Sequence, residues 1–429
     1  MIRILLALAM CLCTLHISAQ VLINEICASN MNGLSDNYGD REDWIELYNS
    51  SASTVNIGGW FLSDDPVNPQ KWVIPSGQTI AAGAYRTVFC SGKDVIAGTY
   101  IHTNFKITQT KSESVILTKA NGMAADSYTF NIPNQSDHSY GRSPNGSATW
   151  KIFTLPTPAA ANVSSSFQSY APGVQASQNS GFYAGSISVS LSTGAGFTIR
   201  YTTNGNEPNA ASSLYSGALN ISTTTVLKAR AFSSDPQILP GFVTANTYFV
   251  NVNHAVPVVS IAGNNVVSLL NGSQIEPVGS LEYFENGVRE ADAYGEFNKH
   301  GNDSWAYSQR GIDWITRDQI GYDDVLNHQF FPERTRKKFQ RLILKAAAND
   351  NYPAENGAHI RDSYVHTLAL HGGLNLDVRT HRSCVLYVNG QYWGVYDLRE
   401  KVDDSDFTKY YYDQDDTEMD YIKTWGSTW

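Results

Sequence analysis

From residue 21 to residue 158 the chain is written in short alternating or continuous apolar runs, each closed by turn-forming residues. VLINEICASN opens with alternation, and DWIELYNSSASTVNIGGWFLSDD, QKWVIPSGQTIAAGAYRTVFCSGK and ESVILTKANGMAADSYTF follow. This pattern predicts the strands of an antiparallel sandwich. Gly58-Gly59 and Asn121-Gly122 fall where the backbone must turn with positive φ. TLPTPAAANVSSSFQSYAPG has no apolar period and is rich in Pro, Ala and Ser, so 159–171 reads as a linker. A second strand-rich stretch, 172–252, contains ISVSLST, FTIRYTTNG, LNISTTTVLKARAFS and VTANTYFV.

Beyond His254 the periodicity becomes mixed. VPVVSIAG, GSLEYFENG and LILKAAAND predict strands. RDSYVHTLALHGG predicts a helix, with Tyr364, Val365, Leu368 and Ala369 at helical spacing and Gly372 as its stop. RSCVLYVNGQYWGVYDLREKVD predicts a two-stranded hairpin turning at Asn389-Gly390. The overall expectation is a mainly β, multi-domain chain: one immunoglobulin-like sandwich, a second small sandwich and a final α+β part.

Composition supports this reading. Of the 429 residues 12% are aromatic and only 16% charged, a bias toward strands and turns. The net charge of −10 argues against nucleic acid as a partner, because phosphate contacts need clustered Lys and Arg. The short basic run Arg334 to Arg341 reads as a solvated face. Residues 1–19 have the form of a signal peptide: Arg3, an apolar stretch Ile4 to Leu15, and Ile17-Ser18-Ala19 before Gln20. Export follows as an expectation, and no later stretch is apolar for long enough to span a bilayer. Cleavage leaves Cys27, Cys90 and Cys384, of which Cys27 and Cys90 either pair or remain as buried thiols.

Three resemblances fit this organisation. INEICASN, DWIELYN, VNIGGWFLSDD and the late DSYTF, in that order, resemble a lamin-tail domain over 20–158. Its Trp44, Trp60 and Trp72 read as core anchors. Its acids Glu25, Asp43, Glu46, Asp64 and Asp65 read as exposed edges and turns, not as a metal cluster. The YTTNGNEP turn and the strand order of 172–252 resemble the small sandwich at the C-terminus of chitobiases. No framed carboxylate pair accompanies it, so glycoside hydrolysis is not implied.

The series QRGIDWITRDQIGYDDVLNHQFFP, FQRLILKAAANDN, RDSYVHTLAL, VLYVNGQYWGVYDLREKVDDSDF and MDYIKTW, over 257–429, resembles the front of a CotH-type protein kinase. The resemblance implies an atypical kinase fold, ATP and Mg²⁺ as cofactors, and transfer of the γ-phosphoryl to protein Ser. Such chemistry needs a cation on the phosphates, acids on Mg²⁺ and a base at the acceptor hydroxyl. Candidate nucleotide contacts are Lys345 on a predicted strand, Arg310 with Arg317 in the earlier basic segment, Arg361 and Asp362 opening the helix, and Glu400 after the hairpin. A helix-borne acid such as Asp362 would position a phosphate-binding cation.

The catalytic and Mg²⁺-binding acids are expected beyond residue 429, so these residues alone are expected to be inactive. The acidic group Asp413, Asp415, Asp416, Glu418 and Asp420 lacks the glycine and spacing of a calcium loop and reads as solvated chain. No metal site is assigned, and Walker A, HExxH and GxSxG motifs are absent. The expected partners are a protein substrate or cell-surface components. The rival expectation is a non-catalytic surface protein in which the two sandwiches bind and the kinase-like part is degenerate.

Overall fold

The computed structural model describes residues 20–111, 113–351, 356–414 and 419. Residues 1–19, expected to be a signal peptide, lie with Cys11 and Cys13 outside the described residues, as do Asp415, Asp416, Glu418 and Asp420 of the acidic group.

In the first unit the apolar alternation produces two packed sheets. One runs in the order 166–167, 150–153, 139–142, 21–27, 44–49 and 85–89; the other in the order 124–129, 114–118, 61–63 and 72–73. Trp60 and Trp72 are buried between them with Ile23, Leu47 and Leu117, and Trp44 is buried with Cys27 and Phe89. All three tryptophans are therefore core anchors. Cys27 and Cys90 are both free, buried thiols.

Two readings of this unit are corrected. Glu25, Glu46 and Asp43 are buried, not exposed. Glu25 stands opposite Glu46 in the strand register, and the chain at 157–162 covers both. Thr157 donates its backbone N–H and hydroxyl to Glu25, and the Ala160 N–H donates to Glu46 at 3.2 Å. The stretch 159–171 is likewise no loose linker. Asn162 donates to the carbonyls of Asn24 and Arg142, 166–167 extends the first sheet, and 169–170 pairs with 238–239. Pro, Ala and Ser there mark a path too irregular for long strands, yet these bonds tie it to both neighbouring units.

The second unit packs its own core around Val174, Val189, Leu191, Leu227 and Tyr248. Its sheet then runs directly into the third unit. The strand Gly181–Tyr183 lies beside Thr244–Val250 on one side and meets Val288 on the other.

The third unit is a closed barrel. Its elements are β1 (Val258–Ala262), α1 (Val266–Leu270), β2 (Val278–Glu285), β3 (Val288–His300), β4 (Gly311–Thr316), β5 (Arg341–Lys345), α2 (Arg361–His371), β6 (His381–Val388), β7 (Gln391–Glu400) and α3 (Ser405–Tyr412). The strand order is β3-β2-β1-β6-β7-β5-β4, and β4 pairs back onto β3. Only β1 with β6 is parallel. The 13-residue β3 makes closure possible: Val288 meets the second unit, whereas Gly295–His300 pairs with β4. Closure removes the exposed edges that an open sheet would leave. Ile261, Leu281, Phe297, Trp314, Leu344, Leu386 and Leu398 fill the interior together with Leu269 and Leu270 of α1.

The hairpin β6–β7 turns at Asn389 and Gly390 with φ of 50° and 80°, as the Asn-Gly pair requires. Its tip reaches the second unit, where a Cβ on Gly205 would collide with Asn389. Helix α2 forms as expected, but its apolar stripe faces outward. Tyr364, Val365 and Leu368 are exposed, and its buried residues are Ser363 and Ala369. The helix instead docks through polar and charged contacts.

Candidate functional site

Those contacts converge where β5 ends. Lys345, the last residue of β5, places its Nζ 2.6 Å from the carboxylate of Asp362 in the first turn of α2. Arg399 on β7 also bonds Asp362, and its other nitrogen lies 2.9 Å from Asp397. Asp397 is the register partner of Lys345 and accepts a 2.9 Å hydrogen bond from Ser383 on β6. Two strands and one helix thus hold two cations and two carboxylates in alternation.

Burial would raise the Asp362 carboxyl, but the Lys345 hydrogen bond and the Arg399 charge outweigh it and hold it well below the ordinary carboxylate value. Burial lowers His359, His366 and His381 around the group, which keeps those imidazoles neutral. The Arg399 Nε and the His359 Nε2 are buried without a hydrogen-bond partner. Lys345 is the partly open member, with 23% of its side chain exposed against 2% for Arg399.

The other candidates are engaged elsewhere. Arg310 donates to the carbonyls of Trp305 and Leu270 and stacks near the Trp305 ring, holding α1 against the barrel mouth. Arg317 pairs with Glu296 at 3.1 Å. Arg361 pairs with Asp350 at 3.2 Å, and Asp350 accepts the Arg361 backbone N–H at 2.7 Å, capping the start of α2. Glu400 is fully buried, accepts from the Tyr411 hydroxyl at 3.0 Å and lies 3.6 Å from Arg336. Arg336 also pairs with Asp406 at 2.6 Å, and Arg341 with Asp404 at 3.0 Å. The basic run is therefore partly an internal clamp onto α3: Lys337 and Lys338 are exposed as expected, whereas Arg336 is 2% exposed.

Arg399 and Asp397 are the members that the sequence reading missed. Their signal is the charge spacing in YDLRE: two charges two apart on a strand share one face, here the outer face of the barrel beneath α2. Among the described residues one acidic trio, Asp36, Asp40 and Glu42, has metal-ligand spacing. The Lys93 ammonium lies 2.7, 2.7 and 3.1 Å from these acids and supplies the positive charge itself.

Three family models match the chain, in the order of its three units. The Lamin Tail Domain covers 16–131, the Chitobiase/beta-hexosaminidase C-terminal domain covers 178–237, and CotH kinase protein covers 320–424. The chain is modular. No curated protein matches it. The CotH match takes in β5, α2, β6, β7 and α3, and with them every member of the Lys345 group; β1 to β4 of the barrel precede it.

The residues fit one part of a nucleotide site. Lys345 has three donor hydrogens, and among the described residues Asp362 is the one carboxylate within ion-pair distance of it, so a donor is left for a phosphate oxygen. No group of described acids beside Lys345 has metal-ligand spacing, so no Mg²⁺ ligand is assigned.

Proposed function

We propose that this is an exported, modular surface protein whose barrel holds ATP phosphates at Lys345 as part of a protein Ser kinase. One observation supports the reading most directly: the strand lysine and the helix acid are 2.6 Å apart within the segment that matches CotH kinase protein. A lysine held by a helix-borne carboxylate is the arrangement that fixes a cation on nucleotide phosphates in kinase-type phosphoryl transfer. In that role Asp362 positions the ammonium, Arg399 fixes Asp362 from beneath, and Asp397 balances Arg399. Bound ATP and Mg²⁺ would supply the transferable phosphoryl group and neutralise its developing charge. The two sandwiches would attach the barrel to surface components or to the acceptor protein. No helix among the described residues is long and apolar enough to cross a membrane.

The test is transfer of label from γ-labelled ATP to a Ser-containing acceptor by the full gene product. Transfer that is lost in Lys345→Met supports the proposal. Absence of transfer from the wild type to any acceptor favours the non-catalytic surface protein.

A further inference from the structure

A cleft opens where the three units meet, and its wall contains none of the residues assigned above. Its volume is about 420 Å³, and its wall includes Gln135 of the first unit, Glu207 and Arg230 of the second, and Asn264, Tyr294 and Tyr322 of the third. That volume falls within the roughly 300–1,000 Å³ of ordinary small-molecule sites.

The charges in this wall are unevenly answered. Lys228, fully buried behind the Tyr294 ring, is paired with Glu207 at 2.5 Å. Arg230 instead donates to two neutral acceptors, the Gly241 carbonyl at 2.5 Å and the Gln135 Oε1 at 2.6 Å. Arg142, Arg336 and Arg399 each sit against a carboxylate, whereas Arg310, like Arg230, is held by carbonyl oxygens; Glu207, already paired with Lys228, acts on Arg230 through space. Half-buried cations are ordinarily paired with an anion. His138, also in the wall, is lowered to about 4 by burial and contributes no charge. Tyr294 and Tyr322, stacked at 4.1 Å, give the cleft an aromatic face beside this cation.

We propose that this cleft binds a small organic carboxylate whose charge is met by Arg230, with the Asn264 amide at the mouth contacting its polar body. Because the wall comes from all three units, the ligand also fastens them together. This inference does not depend on the kinase reading.

Calorimetric titration of the whole protein with D-glucuronate, L-glutamate and citrate tests it, with glucose as the uncharged comparison. At least one carboxylate is expected to bind in the millimolar range or tighter and to raise the melting temperature, while glucose does neither. Arg230→Gln is expected to weaken that binding at least about tenfold. Asn264 is exposed at the mouth, so Asn264→Trp should block the cleft; it also loses the hydrogen bond that Asn264 accepts from the Glu207 N–H, so its own unliganded melt is the reference for any ligand shift. The proposal is overturned if none of the three carboxylates binds, if glucose binds equally well, or if Arg230→Gln binds like the wild type. Should Arg230→Gln not fold, retained binding in Asn264→Trp overturns it.

Discussion

At the scale of single residues, the Lys345 group separates stability from function. Asp362 serves two cations, one of them almost fully buried, so Asp362→Ala should destabilise the protein by about 1–2 kcal/mol, partly relieved by the remaining Asp397 contact. Lys345→Met removes only a partly exposed partner and should cost about 0–1 kcal/mol, measurable by urea unfolding. A larger loss for Lys345→Met than for Asp362→Ala would make Lys345 chiefly structural. The buried acids of the first sandwich give a pH prediction. Burial raises the Glu46 carboxyl from 4.5 to about 8, so the folded chain holds that proton more tightly than the unfolded chain. The stabilisation is complete below about pH 4.5 and is lost as pH rises through about 8. The melting temperature should therefore fall across that window, and Glu46→Gln should flatten the fall. An equal slope in the variant would refute the assignment. Period-two alternation placed Glu46 correctly on a strand. It gave no sign that the chain at 157–162 covers the strand's second face, which is why these acids read as exposed.

At the scale of elements, local chemistry was legible and long-range closure was not. The Asn389-Gly390 pair announces the β6–β7 hairpin because only such residues accept its two positive φ angles readily. Gly390→Ala should cost about 1–2 kcal/mol through backbone strain, while the far end of the barrel keeps its hydrogen-exchange protection. Unchanged stability would mean that the turn relaxes freely. Helix α2 was legible from its spacing, but spacing does not tell which face is covered. Its apolar residues point outward because the outer barrel surface beneath it carries Asp397 and Arg399, which call for polar partners. The Lys345–Asp362 pair could be anticipated as a strand cation and a helix acid. For Arg399 the charge spacing shows only a face shared with Asp397; its partner on α2 depends on the register of β7 against both β5 and β6.

At the scale of the whole molecule, the sequence divides the chain into units that the sheet then joins. The strand Gly181–Tyr183 links the second sandwich to β3, and Phe249, Phe182, Val258, Phe284 and Tyr387 form a shared apolar seam. These two units should therefore unfold in a single calorimetric transition, and cutting the chain after residue 252 should leave the second sandwich unstable. Two well-separated transitions would contradict this. The barrel's closure through β3 and β4 depends on one long strand changing neighbours along its length, which no local pattern records.

The central claim is that Lys345 is a nucleotide-phosphate contact built into a barrel. Its most direct test is a fluorescence titration of the folded protein with a ribose-labelled ATP analogue and Mg²⁺, comparing wild type with Lys345→Met. Saturable binding in the wild type, weakened at least about tenfold in the variant at unchanged melting temperature, is the predicted result. Equal binding by both proteins, or none by the wild type, would contradict it.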